Sequence, residues 1–357
     1  MVVLFIDAMA INSVRWRKEA FLPGRLLGIG LPLTIAFGFL VAWAMFGELS
    51  IADAALGQAV ISNPRAPLSI RQGLNVESGL NDGIVLPLVM ILIAVAEETE
   101  GLDPSQSLIL KMALDILVAA AVGIAVGWVG AKLLSLAGHK KWMTSGWRRI
   151  IILVLAVLSY ALADPLGASG FISAWVAGFV VGMVLRNAYP EIQDFAEELG
   201  HLLTVLSFFV FGALILGPSL GEITWEVALY AVLSLTLIRM IPVEVSMLRS
   251  SLRRPTLLYL GWFGPRGLAS IIFATLIVEE ARLPGTGLII VIMAATVGLS
   301  VIAHGVTAYW GSNRYADWYE GKVAAGVELR ESEEAPEFLT RGRLQLEDRG
   351  RKTGLRA

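Results

Sequence analysis

The sequence predicts an all-α polytopic membrane protein, and three observations carry that expectation. Of 357 residues, 56% are hydrophobic and only 16% are charged, against about 25% charged in a soluble domain. Mean hydropathy is +0.71. Apolar runs of spanning character recur from end to end, and the loops between them alternate between basic and non-basic.

Taken in order, Met1–Ala8 is apolar but too short to cross a bilayer. It lacks the basic leader and cleavage site of a signal peptide, and reads as the end of a helix whose beginning is missing. Leu26–Phe46 follows directly on Arg25. A short run, Ile51–Ile61, precedes Pro64 and Arg65. Gly79–Ala96 stops at the acidic stretch Glu97–Gln106. Leu108–Leu136 stops before Lys140 and Lys141, and Ile150–Ala163 starts after Arg148 and Arg149. Phe171–Leu185 lies between the Asp164–Gly170 loop and Arg186. Leu202–Leu216 ends at the loop Gly217–Glu222, and Val227–Met247 ends before Arg249. Leu257–Val278 starts after Arg253 and Arg254, and Gly287–Ala308 follows the loop Glu279–Pro284. These ten runs are the candidate spans; a full crossing takes about 20 residues.

Sidedness follows from the loops. One set holds Arg15, Arg17, Lys18, Arg25, Arg65, Arg71, Lys140, Lys141, Arg148, Arg149, Arg186, Arg249, Arg253 and Arg254; the alternate set holds Arg282 alone. Fourteen basic residues against one put the first set in the cytoplasm by the positive-inside rule. They also require Ile51–Ile61 to cross. The chain divides into a membrane domain, residues 1–312, and a charged tail, residues 313–357, expected in the cytoplasm. In the tail an acidic block (Glu328, Glu331, Glu333, Glu334, Glu337) precedes a basic one (Arg341, Arg343, Arg349, Arg351, Lys352), a composition that predicts disorder. A bacterial-type plasma membrane is the expected location.

Composition also excludes. The net charge of −2 gives no footprint for a nucleic-acid partner. With no Cys there is no disulfide, thiolate metal site or cysteine nucleophile, and the three His residues are scattered.

The residues that carry chemistry are charged groups at membrane depth. Glu77-Ser78-Gly79-Leu80-Asn81-Asp82 opens the apolar run to Ala96 and sets two carboxylates beside two neutral oxygen ligands. An ionisable group in a span costs about 2.5–3.5 kcal/mol on insertion scales, so its default reading is an ion or proton site. The competing reading is a helix first turn, where carboxylates meet the positive end of the dipole; it fits Glu77 better than Asp82. Asp53, Arg239 and Arg266 also sit within apolar runs. A buried Arg keeps its proton and needs a carboxylate, whereas Arg239 could instead snorkel to the cytoplasm. Asp115 follows Lys111 by four residues, which an interfacial i,i+4 pair explains. Two enzyme readings are weaker. Gly167-Ala168-Ser169-Gly170 with His304 has the residue types of a rhomboid-like intramembrane serine protease, but Ser169 falls in an external loop and His304 near the opposite face. Leu80-Asn81-Asp82-Gly83 departs from the Gly-x-Gly-Asp of intramembrane aspartyl proteases.

The stretch Gln72-Gly73-Leu74-Asn75-Val76-Glu77-Ser78-Gly79-Leu80-Asn81-Asp82-Gly83 resembles the ion-site helix of sodium/proton antiporters of the monovalent cation:proton antiporter-1 family, NhaP-like and related to eukaryotic sodium/hydrogen exchangers. The resemblance extends through Ala54–Val60, Asn63-Pro64-Arg65, Ser169–Phe179 and Gly264-Pro265-Arg266-Gly267. It implies an inverted-repeat fold with broken crossing helices. It implies that Asp82 binds a cation or a proton, supported by Asn81 and Ser78, with Asp53 contributed by a crossing helix. Glu77 and Arg266 would form a structural ion pair. The implied activity is electroneutral exchange of Na⁺, or K⁺ or Li⁺, for H⁺ by alternating access. It would serve pH homeostasis, with no cofactor, membrane lipid as surroundings and a homodimer as the family's assembly. Two departures stand out. The family has further N-terminal spans, which help build the dimer interface, and this chain is expected to begin partway through one of them. The segment from Phe46 to Pro64 is short and has Ala52 where the family has Thr. They open a second reading, a degenerate or truncated antiporter fragment without transport activity.

Overall fold

The computed structural model describes residues 1–11, 21–46, 67, 70, 80, 83–91, 108–185, 189–263, 286–327 and 329–332. Among them there are helices and turns and no strand. The helices are α1 (Val2–Ala10), α2 (Phe21–Phe46), α3 (83–91), α4 (Leu108–His139), α5 (Ser145–Ala163), α6 (Gly170–Leu185), α7 (Pro190–Phe211), α8 (Trp225–Leu235), α9 (Leu237–Ser246), α10 (Arg254–Trp262) and α11 (Thr286–Ala324). Six stretches of described helix are long and apolar enough to cross a membrane. Their outer faces confirm what surrounds them: Leu117, Leu133, Val205, Phe209 and Leu214 are each more than 60% exposed. Such a surface is stable against lipid and not against water. The chain is an integral, multi-pass membrane protein.

Lipid supplies no hydrophobic drive for helices to associate, so close van der Waals approach must hold them together. Small residues provide it. Gly123 and Gly127 bring α4 onto α6, where an added Cβ would lie 2.5 Å from the Ser173 carbonyl and 2.7 Å from the Ala177 carbonyl. One turn apart on α6, Gly178 and Gly182 meet the backbone of α1 at Phe5 and Met9. Phe5, Ala8 and Met9 are buried there, in a core shared with Leu134, Ile152, Leu155 and Val181. α6 has only 16 residues, about 24 Å of helix, and it sits among other helices. It starts after a tight turn, Asp164–Leu166, closed by Gly167 at φ 72°.

Among the described residues, hydrogen bonding departs from the α pattern at several places, three of which lie inside or between long helices. Leu26–Gly30 in α2 and Gly212–Leu216 after α7 are π-helical. α8 breaks from α9 at Thr236 (φ −105°, ψ −92°), and the Thr236 hydroxyl donates to the Val232 carbonyl at 2.7 Å. Arg239 follows three residues later and is 4% exposed, while Leu237 and Ile241 face outward. Arg239 is therefore buried in the bundle and does not snorkel.

α11 continues beyond its apolar run. Apolar sequence stops near Ala308, yet the helix runs to Ala324 and so passes through the expected division at 312/313. The chain then turns at Gly326 (φ 70°), and Arg330–Ser332 returns to pack on the α9–α10 turn. There Arg330 donates to the Ser250 carbonyl at 2.6 Å and lies over the Phe21 ring at 4.2 Å. Glu331 is 3% exposed. Its Oε1 accepts from the Arg253 backbone N–H at 3.0 Å and from the Thr256 hydroxyl at 2.7 Å. This first part of the tail is thus ordered against the helices, where composition alone predicted a solvated segment.

Candidate functional site

Asp53, Glu77, Ser78, Asn81, Asp82 and Arg266 lie outside the described residues. What the structure describes is the frame that begins one residue after Asp82 and the frame that ends three residues before Arg266.

The first frame is α3. Gly83 is pressed against the Trp175 indole, so that any side chain at 83 would run into the ring. Trp175 in turn stacks on Phe179, with ring centroids 5.6 Å apart and planes 5° from parallel. Val85, Leu86 and Val89 are buried in the main core with Ala119 of α4, Ile172 of α6, Ala231 of α8 and Ile292 of α11. The apolar run that the motif opens therefore enters the centre of the bundle. Its sequence explains why: with Gly at 83 and β-branched or Leu residues at 85, 86 and 89, one face is flat enough to meet several helices at once.

The second frame is the junction of α10 with α11. The Trp262 indole N–H donates to the Thr307 hydroxyl at 2.9 Å. The Trp262 carbonyl lies 2.8 Å from His304 Nε2, and the Ser300 carbonyl lies 2.7 Å from its Nδ1. The two rings stack at 5.1 Å, and Phe263 meets His304 edge-on at 6.3 Å. Further toward the tail Tyr259 stacks on Tyr315 at 4.4 Å, and Thr256 meets the Tyr315 hydroxyl at 3.1 Å.

These contacts dispose of the protease reading. Ser169 Oγ accepts from the Ile172 backbone N–H at 3.4 Å and so serves the start of α6. His304 is bound by Ser300 and the Trp262 carbonyl. Each side chain is engaged by groups in its own part of the fold.

Ser169 instead lines a cavity of about 290 Å³ with Asp115, Asp164, Tyr160 and Met90. Met90 places it at the far end of α3. Asp115 faces this cavity, and no ion pair with Lys111 exists among the described residues. Spacing along one helix does not reveal what a second helix brings opposite. Asp115 and Asp164 give the cavity wall two acidic side chains. No group of three or more His, Asp or Glu that could hold a metal ion occurs among the described residues.

Comparison with known proteins follows the same outline. Residues 4–310 match the family model described as sodium/hydrogen exchanger, transmembrane. The K⁺/H⁺ antiporter NhaP of Alkalimonas amylolytica is 23% identical over 337 residues, which is 90% of this chain and 57% of that protein. The K⁺/H⁺ antiporter NhaP2 of Shewanella sp. (strain MR-4) is 25% identical over 236 residues, 66% of this chain and 40% of that protein. The match thus spans about half the length of these relatives, 57% of the first and 40% of the second. Among solved structures, the sodium proton antiporter MjNhaP1 from Methanocaldococcus jannaschii at pH 8 superposes with a TM-score of 0.67 at 21% identity, covering 88% of this chain and 83% of that one. The two share the antiporter fold. With its match running through nearly all of the membrane helices, the chain belongs to the sodium/hydrogen exchanger transmembrane family.

Proposed function

We propose that the chain is a secondary transporter, not an enzyme, that exchanges a monovalent cation for H⁺ across the membrane by alternating access. The observation that carries this reading is the family match over residues 4–310, within which the motif Asn81-Asp82 leads straight into the buried helix α3. Asp82 holds a cation or a proton in turn, with Asn81 and Ser78 as neutral oxygen ligands and Asp53 as a second carboxylate nearby. Glu77 and Arg266 form an ion pair that fixes two spans. Because one carboxylate then changes partners while the other stays neutralised, one positive charge moves each way and the exchange is electroneutral. Na⁺ and K⁺ are both candidate cargo: the solved relative is named a sodium proton antiporter, the curated ones K⁺/H⁺ antiporters. The tail faces the cytoplasm.

The test uses proteoliposomes holding the full chain, an internal pH dye, and an imposed proton gradient. Addition of Na⁺, K⁺ or Li⁺ should dissipate the gradient, the rate should not change when the membrane potential is clamped to zero, and Asp82→Asn should abolish it while the protein still inserts. A chain inert toward all three ions, or an Asn variant that exchanges at the parent rate, overturns the reading.

A further inference from the structure

A cavity of about 370 Å³ opens between the start of α10 and the end of α11. Three cations line it: Arg253, Arg254 and Lys322. All three are exposed, and among the described residues none of these side chains enters an ion pair, a hydrogen bond or a ring contact. The remaining wall is apolar, with Pro255, Trp318 and Leu329 prominent in it. The nearest described carboxylate on the docked tail, Glu331, is already committed to the Arg253 backbone N–H and the Thr256 hydroxyl.

Position narrows what could fill this space. The cavity adjoins the α9–α10 turn, which begins directly after the apolar stretch Trp225–Ser246 ends. A turn between two spans lies at the level of the lipid headgroups. On the basic, cytoplasmic side of the protein that level is rich in anionic lipid. Free phosphate would satisfy the three cations but would gain nothing from Trp318, Pro255 and Leu329. An amphiphile satisfies both halves of the site, its phosphate among the cations and its glycerol and first acyl carbons on the apolar wall.

We infer that the cavity bounded by Arg253, Arg254, Lys322 and Trp318 binds the phosphate of an anionic phospholipid. The shared chemistry with a free phosphate is the phosphate itself, and the apolar wall distinguishes the two. Each cation near a membrane surface contributes about fivefold in affinity for acidic lipid, so removing two lowers it roughly 25-fold.

The experiment measures the thermal midpoint of the full chain in neutral detergent while phosphatidylglycerol, phosphatidylcholine or inorganic phosphate is titrated in. Phosphatidylglycerol should raise the midpoint saturably and phosphatidylcholine should not. Arg254→Gln with Lys322→Gln should shift the half-saturating concentration up roughly 25-fold. Lys140→Gln with Lys141→Gln, which removes two cations at another cytoplasmic turn, should leave it unchanged. The site is overturned if the cavity variant keeps the parent affinity or if the control pair loses as much. The lipid assignment is overturned if inorganic phosphate at equal concentration gives the same shift. Transport is not read in any arm, so this result stands or falls apart from the exchange reading.

Discussion

Thr256→Val tests the docking of residues 330–332 through one hydroxyl. Glu331 Oε1 accepts from Thr256 Oγ1 at 2.7 Å and from the Arg253 N–H at 3.0 Å, in a place where the residue is 3% exposed. The Thr256 hydroxyl has one hydrogen and spends it on Glu331, so the Tyr315 hydroxyl, 3.1 Å away, donates to Thr256. Valine keeps the shape and removes both roles. A hydrogen bond to a charged group contributes about 1.5–3 kcal/mol net, and the carboxylate that remains is still buried. Docking then weakens by about that amount, which multiplies the open fraction roughly 10- to 150-fold. Trypsin reads it directly, because Arg330 is a cleavage site held by the Ser250 carbonyl and the Phe21 ring. When opening and closing are fast relative to cutting, the rate follows the open fraction. Tyr315→Phe removes only the neutral donor, worth about 1 kcal/mol, and should accelerate cutting about fivefold. Equal cleavage rates after Arg330 in the parent and in Thr256→Val would refute the argument that Thr256 holds the tail.

Three further outcomes are expected. Gly178→Ala places a Cβ against the Phe5 carbonyl and should cost about 1–3 kcal/mol of overpacking, seen as a lowered thermal midpoint. Gly305→Ala, with nothing within 4 Å of the new Cβ, is the control that should not lower it. For sidedness, single cysteines at positions 103 and 140 are clean reporters because the chain has none of its own. Position 103 should react with an impermeant thiol reagent in intact cells, and position 140 only after permeabilisation; the opposite pattern inverts the topology. Glu77→Gln and Arg266→Gln should each cost about 3–5 kcal/mol as one charge of a buried pair is left alone. The double variant should recover part of that loss, and strictly additive losses would show that the two side chains do not meet.

Much of the fold was legible because a bilayer is a severe solvent. Any run of the length of Leu108–Leu136 must be helical to satisfy its backbone, and the structure holds it as α4, extended to His139. The family resemblance was legible for a different reason: polar residues such as Asn81 and Asp82 are costly in a span, so their pattern stands out against an apolar background. What was not legible concerns contacts between helices. Arg239 could be placed on the axis of its helix but not on the buried or exposed side. Asp115 had an adequate partner in sequence and a different setting in space. The true end of α11 was hidden because apolar sequence marks where the membrane ends, and nothing between Ala308 and Ala324 ends a helix: the stretch has no Pro, and its Gly311 and Gly321 are tolerated. The docking of Glu331 depends on a hydroxyl 75 positions away, a pairing that composition cannot anticipate.

The bonds between α10 and α11 recur at successive heights, at Trp262 with 304 and 307, at Tyr259 with 312 and 315, and at Thr256 with 315. Sliding one helix past the other by a turn would sever every rung at once, so the two are fastened like the rails of a ladder and travel as one beam. Under the alternating access proposed above, bending would have to occur elsewhere. The backbone supplies joints at the two π-helical turns and at Thr236, where the regular hydrogen-bond ladder is already interrupted. Those joints lie in α2, after α7 and between α8 and α9, and the beam that leads toward Gly264-Pro265-Arg266 contains none of them.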